Sequence, residues 1–245
     1  MIRLKSFGTS YRAAVWGASG GIGRAFVRHL ADDPACASVV GVSRTGIPES
    51  GKIGSVIYDP HGHETISEAA ATLAEGGAPQ VMIIATGTLH GQGYEPEKAL
   101  RQLREDAFLE VMRINALLPA MIAQALLPRL PEGRSVLAAL SARVGSISDN
   151  RLGGWHSYRA SKAALNMLVR NIAIEAARKH RDAVVAGLHP GTVDTSLSEP
   201  FQANVPEGKL FTPEYSAGEL LKVIDSLEPS QSGETFDYAG KLIAP

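Results

Sequence analysis

The chain of 245 residues carries 24 Lys plus Arg against 25 Asp plus Glu, a formal net charge of −1, which disfavours a large basic face for nucleic acid. Hydrophobic residues at 44% and charged residues at 20% exclude a disordered chain, and a lone cysteine, Cys36, excludes an internal disulfide. Neither a secretory signal nor a membrane span is expected: Arg3, Lys5 and Arg12 lead into no long apolar core, and the longest apolar stretch, 114–127, is broken by Asn115, Pro119 and Gln124.

In chain order, residues 1–10 read as irregular and the first apolar run, 13–16, predicts a strand. Further near-continuous apolar runs predict strands at 38–42, 55–58, 80–85, 135–140, 183–188 and 234–238. Helical periodicity predicts helices at 22–31, 64–75, 96–130 with a break near 104–106, 155–179 and 213–227. Strands apolar on both faces, alternating with helices, give an α/β fold: a doubly wound (Rossmann) parallel sheet of about seven strands with helices on both faces. No linker, charge block or internal repeat divides the chain, so one cytoplasmic domain over 1–245 is expected. The Pro/Gly-punctuated stretch 197–212 is long for a connection and is expected to be a substrate loop.

The first strand runs into Gly17-Ala18-Ser19-Gly20-Gly21-Ile22-Gly23 at the start of the first helix. A glycine after the strand permits a tight turn, the next lets backbone approach a pyrophosphate, and the last lets the helix pack closely on the sheet. The helix N-terminus then offers free N–H groups to phosphate. At the end of the second strand an acid would bind the ribose 2′-OH of NAD and repel a 2′-phosphate. Ser43 and Arg44 stand there instead, and a guanidinium grips phosphate through forked, charge-assisted bonds, so NADP(H) is the expected cofactor.

Tyr158 and Lys162 lie one helical turn apart near the start of the helix at 155–179, where phenol and ammonium can address one spot. Protonating or deprotonating an oxygen beside a hydride donor requires a phenol tuned from its ordinary pKa of ~10 toward neutrality, about 4 kcal/mol of preference for phenolate. A nearby cation can supply stabilisation of that order in a partly dry site.

The spacing G-x-x-x-G-x-G at Gly17, Gly21 and Gly23, followed by Tyr158-x-x-x-Lys162, resembles the short-chain dehydrogenase/reductase family over almost the whole chain, from Arg12 to about Gly240. The run from Gly153 to Met167 looks like the branch of sniffer-type carbonyl reductases and C-factor signalling proteins. The resemblance implies that Tyr158 acts as general acid or base, and that Lys162 tunes it and holds the nicotinamide ribose. It also implies that Asn115 bends its helix and anchors a water leading to the lysine. Asp59 would touch the adenine amino group and Gly87 would let backbone lie near the cofactor. After the sixth strand, Pro190 and Gly191 match the family's Pro-Gly segment, the Val193 backbone would meet the nicotinamide carboxamide, and Thr195 a phosphate or the same amide. A small-molecule carbonyl or alcohol substrate and a homodimer or homotetramer, joined through the helices at 106–130 and 155–179, are implied as well.

The chain departs from the family in two places. Aligned on Gly145, the catalytic serine position holds Ala142, so the hydroxyl falls to Ser141 one residue early, to Ser146, or to no residue. Ile84-Ala85-Thr86-Gly87 stands where the family usually shows Asn-Asn-Ala-Gly, so the strand-tying role of the second asparagine falls to other groups. Ala142 motivates a competing expectation, a nucleotide-binding sensor or signalling protein with little or no turnover. His61, His63 and Glu64 lack the further ligands of a zinc site, so no metal is expected. His156 and His189 flank the site, where helix-start and turn roles account for them, and Cys36 reads as a bystander.

Overall fold

A computed structural model describes residues 2–245. The chain lays down strands β1 (Tyr11–Trp16), β2 (Cys36–Ser43), β3 (Ile53–Ile57), β4 (Val81–Ile84), β5 (Ser135–Leu140), β6 (Ala183–His189), the two-residue strands β7 (Thr192–Val193) and β8 (Leu210–Phe211), and β9 (Thr235–Asp237). Between them run helices α1 (Gly21–Asp32), α2 (His63–Glu75), α3 (Glu105–Met112), α4 (Leu118–Leu126), α5 (His156–Ala176) and α6 (Pro213–Ser226). Seven strands form one parallel sheet in the order β3-β2-β1-β4-β5-β6-β9, the doubly wound architecture expected. The chain moves outward through β2 and β3, then returns to pair β4 against the other edge of β1. That reversal opens a crevice at the carboxyl ends of β1 and β4, where ligands of open α/β sheets bind.

Because successive strand residues face opposite ways, each strand feeds two cores. Ala13, Val15, Val81, Ile83, Val136, Leu140 and Leu188 pack under α1 and α6 with Phe26, Leu30 and Leu220. Ala14, Trp16, Met82, Ile84, Leu137 and Val185 pack under α2, α4 and α5 with Leu73, Ile122 and Leu165. Covering both faces is why these strands carry almost no polar side chains. On the second face Trp16 meets Tyr58 edge-on, with ring centroids 4.9 Å apart.

Several expected boundaries shift. The helix expected from residue 96 begins at Glu105, after a separate 3₁₀ turn at Leu100–Gln102, so the break near 104–106 is its true start. Inside it, Arg113–Leu117 winds as a π-turn between α3 and α4. The whole helical run Glu105–Arg129 is long and apolar enough to cross a membrane by length and composition, contrary to the sequence expectation; its Leu118, Ile122 and Leu126 lie in the core. In the N-terminal segment expected to be irregular, Lys5–Phe7 form a 3₁₀ turn, with Leu4 and Phe7 buried; Met1 lies outside the described residues. The stretch 197–212 holds a 3₁₀ helix, Glu199–Asn204, and then β8, which pairs in parallel with β7.

Candidate active site

At the end of β1 the chain turns through Gly17, whose φ of +81° favours glycine and where a Cβ would lie 2.9 Å from the Ala85 carbonyl carbon. A Cβ on Gly23 would collide with the Gly17 carbonyl oxygen. Gly20 precedes α1 in extended conformation and no side chain caps the helix, so the first-turn N–H groups stay available beside Ser19, Gly21 and Ile22. The Thr195 methyl comes within 2.7 Å of where a Gly21 Cβ would sit and closes the cradle from the other side. Ser43 ends β2 buried, and its Oγ has no hydrogen-bond partner; the Oγ1 of Thr86, after β4, lacks one too. Buried hydroxyls without partners are uncommon and point to a group that would complete them. A cradle that side chains cannot fill, together with these orphaned hydroxyls, fits a bound dinucleotide. Arg44, exposed, follows Ser43 near the Tyr58 phenol. Asp59 accepts from the His61 N–H at 2.9 Å and so shapes the turn into α2.

Across the crevice, α5 carries Tyr158 and Lys162. Its start is held by a residue the sequence reading missed. Glu97 is buried; one carboxylate oxygen accepts from the Ser157 N–H at 3.1 Å, the other from the Ser157 hydroxyl, and its carbonyl accepts from the Trp155 N–H. A carboxylate at a helix N-terminus is favourably placed in the helix dipole. Trp155 is the one non-glycine residue with positive φ among those described, at +49°. Such a conformation persists only where surroundings over-determine it, and here the Glu97 bond and an edge-on contact with Tyr158 at 6.1 Å do so.

Lys162 is buried, donates to the Leu140 carbonyl at 2.9 Å, and places its Nζ 5.7 Å from the Tyr158 ring centroid. Burial pushes the Tyr158 phenol up to about 12 and the Lys162 ammonium down to about 8. The Gly87 backbone lies beside them: a Cβ there would stand 3.8 Å from the Lys162 Nζ and 3.5 Å from Asn115 Oδ1. Asn115 sits buried in the π-turn, accepts from the Thr88 N–H and donates to the Thr88 carbonyl, both at 2.8 Å, and donates to the Ser161 Oγ at 3.0 Å. Its side chain thus ties the β4 exit to α5. Four residues on stands Pro119, which has no N–H for the Asn115 carbonyl.

Ser141 takes a different place from the one expected. It lines the cleft, but its hydroxyl donates to Asn166 Oδ1 at 2.6 Å, which also accepts from Thr235 at 3.3 Å. With that proton committed, Ser141 has none for a substrate oxygen. Ser146 is turned toward Ser148 and the Pro245 carbonyl and accepts from the Asp149 N–H. Ala142, without a hydroxyl, lines the cleft beside Tyr158. The remaining wall is formed by Leu89, Val144, Trp155, Leu197 and Phe201, with Pro190, Gly191, Val193 and Thr195 opposite, around a cavity of about 220 Å³. Trp155 and Phe201 meet edge-on at 5.3 Å. His189, expected to flank the site, also lines this cavity. Elsewhere, His61 is engaged by Arg113, whose Nε donates to its Nδ1 at 2.9 Å.

Residues 12–206 match the family described as short chain dehydrogenase. Among curated proteins, the C-signal protein of Myxococcus xanthus is 41% identical over 128 residues, 52% of this chain and 72% of that one. A 1-hydroxy-2-glutathionyl-2-methyl-3-butene dehydrogenase of Rhodococcus sp. (strain AD45) is 34% identical over 175 residues, 71% of this chain and 73% of that one. Among solved structures, an NADPH-bound carbonyl reductase from chicken fatty liver superposes with a TM-score of 0.81 at 27% identity, covering 96% of this chain and 94% of that one. The carbonyl reductase Sniffer of D. melanogaster shares the fold, with a TM-score of 0.81 at 20% identity over 96% of this chain and 100% of that one.

Proposed function

The chain belongs to the short-chain dehydrogenase family and is of an oxidoreductase type, and we propose that it interconverts a carbonyl and an alcohol with NADP(H). One observation carries the reading: a buried ammonium 5.7 Å from the ring of a phenol that lines a cleft, with Ile22 and Thr195 of the phosphate cradle in the same lining. The NADPH-bound state of the chicken reductase supports the cofactor, as does Arg44 beside the unpartnered Ser43 hydroxyl. When bound, a reduced nicotinamide would supply a hydride to the carbonyl carbon.

The chain's own residues would do the rest. Gly17 to Gly23 would hold the pyrophosphate at the α1 N-terminus, and Ser43 and Arg44 the ribose and its phosphate. Val193 and Thr195 would keep the nicotinamide against the cleft. The Tyr158 hydroxyl, protonated at neutral pH as any phenol is and held so more firmly by burial, which raises it to about 12, would give its proton to the carbonyl oxygen. In the reverse direction a cation must bring the phenol down against its burial, and Lys162, whose Nζ lies 5.7 Å from the ring centroid, would be that cation. The wall of Leu89, Val144, Trp155 and Phe201 favours an apolar, aryl-bearing substrate.

Loss of NADPH absorbance with a panel of aryl and alkyl ketones tests this. Tyr158→Phe should keep NADPH binding and lose at least about 100-fold in turnover, in the range of one transition-state proton donor; equal rates in both proteins would overturn the reading. Ala142 and the committed Ser141 hydroxyl favour a second reading, a nucleotide-binding sensor. NADPH binding with no turnover across the panel would decide for it.

A further inference from the structure

Reduction of a carbonyl builds negative charge on its oxygen, and one donor in addition to the general acid normally meets that charge. Neither Ser141 nor Ala142 can supply it: one hydroxyl proton is spent on Asn166, and the other residue has none. The neighbouring strand offers a group in the same place. In the β5–β6 register Leu140 lies opposite Leu188, and the Ser141 N–H donates to the Leu188 carbonyl at 2.8 Å, so His189 stands beside the Ser141–Ala142 turn. By strand alternation His189 is on the face of Ala183 and Val185, the face packed against α5, from which Tyr158 and Lys162 come. Its ring borders the cavity lined by Tyr158 and Ala142, while its Nδ1 is enclosed and makes no hydrogen bond. With Nδ1 closed off, the tautomer protonated on Nε2 is the one that turns an N–H toward the cleft.

We infer that His189 donates a hydrogen bond to the substrate oxygen, in the role that Ala142 leaves vacant; this rests on the carbonyl–alcohol reading above. The imidazole is neutral for that task. Burial, reinforced by the Arg143 and Lys162 cations, pushes His189 down to about 4, against the opposing pull of Asp237, itself paired to Arg143 at 3.1 Å. A neutral ring keeps one N–H and does not compete with Tyr158 as a proton donor.

The test combines kinetics with nitrogen NMR. In the full-length protein saturated with NADP⁺, which cannot deliver a hydride, ¹⁵N-histidine labelling should show His189 as the Nε2–H tautomer, its signal moving on addition of acetophenone. With NADPH, His189→Ala should lower kcat/KM for acetophenone about 100-fold, the usual effect of losing one such donor. Adding Ala142→Ser to that variant should restore at least about tenfold, because the hydroxyl returns at the vacated position. An unmoved His189 signal overturns the inference even where a variant fails to fold, as does an unchanged kcat/KM in a folded His189→Ala. A moving signal in a protein that never turns over would leave the His189 contact standing and remove the carbonyl–alcohol reading instead.

Discussion

Lys162 is charged in the unfolded chain up to a pH near 10.5, but in the fold burial brings it down to about 8. At pH 7 the ammonium is present in both states, so its burial opposes folding by about 3 kcal/mol. Between pH 8 and 10.5 the unfolded chain binds more protons than the folded one, so this residue makes stability rise with pH over that window. Lys162→Met should therefore unfold at higher urea at pH 7, by up to about 2 kcal/mol once the Leu140 carbonyl left without its donor is counted, and should lose the rise above pH 8. A less stable variant at pH 7 would contradict the burial penalty. The same protein should have no turnover, a trade of stability for chemistry. The Tyr158–Lys162 pair was legible because its spacing and position after the fifth strand are sequence properties. Ser141 was not: the direction of a hydroxyl at a strand end depends on Asn166, which lies 25 residues away in the chain.

At the scale of elements, the reacting groups are held by the entry to α5 and by the π-turn. Glu97 joins the loop before α3 to the first turn of α5 through Ser157 and Trp155. Glu97→Ala would leave the Ser157 N–H and hydroxyl without their acceptor, at about 1–3 kcal/mol in stability, and would loosen the helix that orients Tyr158. Thermal melts should fall, and kcat for ketone reduction should drop while NADPH affinity stays within about twofold, since the cradle on α1 is untouched. Unchanged kcat would remove Glu97 from the positioning of Tyr158. Nothing local announces Glu97, since its partner is 60 residues on. The π-turn was within reach, because Pro119 four residues after Asn115 denies that carbonyl its donor. A periodicity reading blurs such a step into one continuous helix.

For the whole molecule, the order of strands follows from the sequence pattern. Strands as apolar as Val81-Met82-Ile83-Ile84 must be covered on both sides, and alternating helices supply the cover. The strands β7 and β8 escaped notice because two residues carry no period; they pair only because the segment after Gly191 folds back over the cleft. The crevice at the β1–β4 reversal is where a dinucleotide would lie, and its far end sets cofactor choice. Arg44→Ala should weaken NADPH binding at least about tenfold, the scale of one charge-assisted contact, with NADH little changed. Equal losses, measured by fluorescence titration, would contradict the assignment of Arg44 to the 2′-phosphate.

Transfer of hydride itself can be followed by mass. With NADPH deuterated at both C4 positions and acetophenone as acceptor, the alcohol formed should carry one deuterium on its carbinol carbon, in the wild type and not detectably in Tyr158→Phe. Saturated NADPH binding without any deuterated alcohol would contradict a cleft built for hydride transfer.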